Sequence, residues 1–87
     1  MYVILVYDIN VERLSKVLKT CRVYLNWVQN SVFEGEITEA DLIRLKHQLK
    51  SIIDEDEDSI IIYRLTSSRY ISKEIIGTEK RPTDFII

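Results

Sequence analysis

Two short segments of this 87-residue chain are apolar on both faces, and that constrains its fold more than any other feature. Residues 2–7, Tyr-Val-Ile-Leu-Val-Tyr, form an unbroken β-branched and aromatic run, and Ile60-Ile61-Ile62-Tyr63 form a second within a strand expected from Ser59 to Leu65. Successive side chains of a strand point to opposite faces, so both segments need dry surroundings on two sides. A single domain of this size, residues 1–87, buries only about 60–65% of its unfolded surface. Its one cysteine, Cys21, allows no intramolecular disulfide. A second copy of the same sheet is therefore the expected source of the missing cover.

Between the two segments the pattern alternates between helix and strand. Asn10 can cap a helix through its side-chain oxygen, and Val11, Leu14, Val17, Leu18 and Cys21 follow at helical spacing. Residues 23–37 are rich in Val, Tyr, Trp, Phe and Ile and read as strand. Gln29-Asn30-Ser31 divides them into a hairpin, or the stretch is one strand with a bulge. Thr38 followed by Asp41 has the spacing of a capping box. It opens a helix over 39–53 with Leu42, Leu45, Leu49, Ile52 and Ile53 on one face. Residues 69–76 read as a weaker strand ending at Gly77. Because Ile71, Ile75, Ile76 and Phe85-Ile86-Ile87 are too apolar to stand in water, the segment 69–87 is expected to dock on the partner subunit. The order is βαββαβ with an extra C-terminal strand, a ferredoxin-like α+β arrangement. Two helices cover one face of its sheet, which leaves the other for a homodimer packed through the sheets.

The net charge of −2 disguises its distribution. Asp54-Glu55-Asp56-Glu57-Asp58 reads as a solvated acidic loop. Without its five acids, nine of the fourteen acidic residues remain against twelve basic ones, and placement matters more than the total for binding a nucleic-acid backbone. Arg13, Lys16, Lys19 and Arg22 lie off the apolar stripe of the first helix. No apolar run approaches the roughly 18–20 residues of a membrane span, and the N-terminus lacks the features of a signal peptide. A cytoplasmic protein with no membrane partner is expected. No glycine-rich phosphate loop and no pair of histidines is present.

Asp8 is the one residue whose position suggests chemistry. It shares a strand face with Ile4 and Val6 and ends their apolar row. Mg²⁺ takes one or two carboxylates and keeps several waters. A two-fold dimer through this face would turn one carboxylate per chain into two at one site, able to hold a metal that serves phosphate chemistry. Alternatively, Asp8 simply ends the strand or caps the turn that follows.

Tyr7-Asp8-Ile9, the basic Arg13 and Lys16, Gln29-Asn30-Ser31-Val32-Phe33-Glu34-Gly35, the helix from Glu39 and Asp58-Ser59-Ile60-Ile61-Ile62-Tyr63 occur in the order found in the Cas-two family of CRISPR-associated proteins, which the chain resembles over its whole length. It departs from the family in the first helix, where Leu14 stands in place of a second arginine. The resemblance implies a homodimer with Asp8 as catalytic and metal-binding residue, holding Mg²⁺ or Mn²⁺ between subunits. It implies a role in spacer acquisition, in which the dimer bridges the Cas-one integrase and supports DNA, and an endonuclease activity on single-stranded RNA or on DNA in some members. Tyr7, Arg13, Lys16, Arg22, Ser31 and Phe33 are then expected to bind nucleic acid, Phe33 by stacking or else by packing in the sheet. The family-blind alternative is a small ferredoxin-like regulatory or ligand-binding module without nuclease activity.

Overall fold

The strand β1 (Tyr2–Asp8) runs through the middle of an antiparallel sheet, flanked on one side by β3 (Val32–Glu36) and on the other by β4 (Ser59–Ser67). The computed structural model describes residues 1–67 and 70–79. Outside β3 lies β2 (Asn26–Gln29), and outside β4 lies β5 (Tyr70–Gly77), so the order across the sheet is β2-β3-β1-β4-β5. The helices α1 (Val11–Tyr24) and α2 (Glu39–Ile52) complete the βαββαβ order, with β5 as the added strand.

Alternation in β1 decides which face the helices cover. Val3, Leu5 and Tyr7 are buried with Phe33, Ile60, Ile62 and Ile76 against Val17 and Cys21 of α1 and Leu42, Leu45 and Leu49 of α2. Both predicted helix starts form. The Asn10 side chain accepts from the Glu12 N–H at 3.3 Å, and the Thr38 hydroxyl accepts from the Asp41 N–H at 3.1 Å. Val11 opens α1 but is 81% exposed, so the buried stripe starts at Leu14 and not at Val11. The helix also runs on through Val23 and Tyr24, where a strand was expected. It ends at Leu25, which is buried and returns its N–H to the Cys21 carbonyl. Strand propensity gives way here to packing. Hairpin and bulge both occur in β2-β3: the turn is Asn30-Ser31, with Asn30 left-handed at φ 44°, and the register shifts between Trp27 and Gln29.

The opposite face carries Tyr2, Ile4 and Val6 of β1, beside Leu65, Tyr63 and Ile61 of β4. Ile71 and Ile75 of β5 continue these rows at 67% and 38% exposure. This is the second apolar face read from the sequence, and neither α1 nor α2 covers it. Within the chain, Tyr70–Gly77 lies antiparallel against β4 from Ser59↔Gly77 to Ser67↔Tyr70, as the added edge strand of the sheet. Residues 80–87, and with them Phe85-Ile86-Ile87, lie outside the described residues. α2 is tied to this edge by charge, with Lys46 Nζ 2.7 Å from Glu74 and Arg64 bridging Glu74 and Glu39. No helix of the described residues is long and apolar enough to cross a membrane.

Candidate functional site

Asp8 is exposed and ends the apolar row of Ile4 and Val6 on the open face, opposite Ser59 in the register. One carboxylate suits a largely hydrated divalent ion but does not enclose one. Among the described residues no group of three or more Asp, Glu, His or Cys could hold a metal ion. Enclosing a cation here takes ligands beyond Asp8, which a second chain could add, and Asp8 stands at the margin of the face that could receive one.

Three predicted nucleic-acid residues are built into the fold, Phe33 in the packing role that was its alternative. Phe33 is fully buried beneath the helices, and Tyr7 is buried beside it with ring centroids 6.0 Å apart, so neither offers a stacking surface. The Tyr7 hydroxyl donates to the Asn30 carbonyl at 3.0 Å, and burial raises its pKa, so it remains a donor. Arg13 is not available to track phosphates. Its Nε donates to Asp58 Oδ2 at 2.6 Å and its Nη2 to Glu57 at 2.7 Å, with Glu12 3.3 Å from Nη1. Lys16 and Arg22 are exposed on α1, and Ser31 is half-buried in the hairpin turn, its carbonyl accepting the Tyr7 N–H at 3.0 Å. The predicted residues thus divide into exposed groups, Asp8, Lys16 and Arg22, and groups that build the fold around them.

Asp58 is the residue that sequence reasoning missed. Read as part of a solvated loop, it is 0% exposed. Its carboxylate accepts from Asn10 N–H at 2.8 Å, Asp54 N–H at 2.9 Å and two Arg13 nitrogens at 2.6 and 3.2 Å. The Arg13 hydrogen bond, against the cost of burial and helped by the two N–H groups, holds it at about 2. Acidic runs are usually solvated, and the available signal was its place directly before an apolar strand. Trp27 is 55% exposed on the edge strand β2, its Nε1 donating to the Asn30 carbonyl at 3.1 Å. Cys21 is core as expected, and burial pushes its thiol up to about 12, which removes it as a nucleophile. A groove lined by Tyr24, Ile37, Thr38 and Asp41 lies by Glu36, at the end of the sheet away from Asp8.

Against known proteins, the family model described as CRISPR associated protein Cas2 matches residues 1–72. A CRISPR-associated endoribonuclease Cas2 of Pyrococcus furiosus is 55% identical over 87 residues, covering 100% of both chains. Its namesake from Methanocaldococcus jannaschii is also 55% identical, covering 100% of this chain and 76% of that protein. A crystal structure of Cas2 superposes with a TM-score of 0.74 at 45% identity over 100% of this chain and 98% of the other. The Streptococcus pyogenes Cas2 structure at pH 6.5 gives 0.70 at 44% identity, covering 78% and 89%.

Proposed function

This chain belongs to the family of CRISPR associated protein Cas2, and on that premise we propose that it works in CRISPR adaptation as a homodimer packed through its open sheet faces. The dimer bridges the Cas-one integrase, supports the DNA to be inserted, and carries at its axis a metal-dependent endonuclease site made of two copies of Asp8. The observation that carries this reading is the position of Asp8: an exposed carboxylate ends the half-buried apolar row of Ile4 and Val6, on the face that no described helix covers. Packing two such faces together removes the apolar surface from water and brings two carboxylates toward one axis.

A Mg²⁺ or Mn²⁺ ion, when bound there, would supply water activation and stabilise charge on a scissile phosphate. The chain's own part is to hold the carboxylates, to exclude bulk water from the paired faces, and to guide the nucleic acid. Lys16, Lys19 and Arg22, exposed on α1, serve the last task through phosphate contacts that carry no sequence information. The endoribonuclease named for the relatives is the activity we assign to Asp8. A ligand-binding module could use the groove near Tyr24 and Thr38, which Asp8 does not reach.

The test pairs two assays on the full chain and on Asp8→Asn, which keeps the shape of the side chain and removes its charge. Cleavage of single-stranded RNA should require Mg²⁺ or Mn²⁺ and disappear in the variant, while capture of the Cas-one integrase and the dimer persist. Cleavage that survives Asp8→Asn would remove Asp8 from the chemistry. No cleavage by the unsubstituted protein, with integrase capture retained, would leave the architectural role alone.

A further inference from the structure

Asp58 holds the backbone just beyond Asp8 and stands next to the residue that pairs with it. Its carboxylate takes the N–H of Asn10, two residues beyond Asp8, and Ser59 beside it in sequence is the cross-strand neighbour of Asp8. Its carbonyl accepts the Thr78 N–H at 2.9 Å. Gly77, at φ 87°, passes so close that a Cβ would stand 2.3 Å from the same carbonyl oxygen. The Arg13 fork neutralises the carboxylate inside the fold. Four N–H donors reach its two oxygens, which uses the acceptor capacity of a carboxylate. Asp58 therefore has nothing left to offer a cation. What it does is pin the turn by which the chain leaves β1.

We infer that Asp58, locked by Arg13, is a positioning residue for Asp8: it sets the direction in which the Asp8 carboxylate leaves the strand, and so the spacing of the two copies at the dimer axis. The inference rests on the reading of Asp8 as the residue that holds the cation. A site of two carboxylates from two chains has few ligands, and each must be held to within about 0.5 Å of its working position. Groups that orient a metal ligand without touching the ion typically govern about 10–100-fold in affinity or activity.

The experiment is a Mn²⁺ titration of the full-length dimer, followed by the electron paramagnetic resonance signal of the free ion, with steady-state cleavage of single-stranded RNA alongside. Asp58→Asn removes the charge and keeps the shape. Asn10→Pro removes only the N–H that Asp58 accepts, together with the Asn10 cap, at a residue whose φ of −58° suits proline. Circular dichroism and sedimentation first establish that each variant is folded and dimeric, and if Asp58→Asn loses the fold, Asn10→Pro decides. Mn²⁺ affinity is expected to fall at least about tenfold in the folded variants, with kcat reduced and KM for RNA unchanged. Folded variants with unaltered Mn²⁺ affinity would overturn the positioning role while leaving Asp8 as the cation ligand. Wild-type protein that binds no Mn²⁺, or binds it equally after Asp8→Asn, would overturn the reading of Asp8 and the inference with it.

Discussion

Five acids stand together at Asp54–Asp58, and only the last is fully buried. Its folded pKa of about 2 lies below the ordinary 3.8, so the unfolded chain takes up this proton more readily than the folded one. The stabilisation from Asp58 is therefore complete above about pH 4 and is lost as the pH falls toward 2. Acid unfolding followed by circular dichroism should show this loss in the native chain and a flatter profile in Asp58→Asn. Asp58→Ala, which leaves the Asn10 and Asp54 N–H groups without their acceptor, should cost roughly 2–3 kcal/mol in chemical denaturation. Gly77→Ala should also destabilise, since the residue is left-handed and has no room for a methyl group against Asp58. Single-residue placement was the least legible level of the sequence. Phe33 and Trp27 face each other across β2 and β3. Phe33 lies under the helices and Trp27 at the exposed edge, and composition treats these two aromatic residues alike.

The elements were legible because their signals are local. The uninterrupted run of β1, the Asn10 and Thr38 caps and the stripe of Leu42, Leu45 and Leu49 each act within a few residues. The end of α1 and the pairing of β5 were not, because they depend on contacts distant in sequence, Leu25 in the core and β4 alongside Tyr70–Gly77. That pairing sets what a truncation should do. Stopping the chain after Ser68 removes the strand that covers the edge of β4 and exposes Ile60 and Ile62, so the fold itself should lose stability, not the dimer alone. Thermal unfolding of the truncated chain measures this directly. On α1, replacing Lys16, Lys19 and Arg22 together with alanine should weaken duplex-DNA binding. The dependence of log affinity on log salt should become shallower by about 0.9 for each phosphate that is no longer neutralised. Arg13→Ala belongs to a different class: it breaks the Asp58 cluster and should lower stability.

At the scale of the whole molecule, β1 has one face against the helices and one that no described helix covers, and its last residue is a carboxylate on that second side. The two-sided apolarity of β1 and β4 made this second face legible in the sequence, although a sequence cannot show how two faces meet. We expect a dimer that buries at least about 1,200 Å² in total, the lower end for a specific interface. The central proposal is that this dimer makes one cation site from two single carboxylates, and the stoichiometry of Mn²⁺ binding tests it most directly. Titrating Mn²⁺ into the dimer should saturate at one tightly held ion per pair of chains, and Asp8→Asn should abolish that binding without changing the sedimentation of the dimer. Saturation at one ion per chain, or binding that persists in Asp8→Asn, would contradict it.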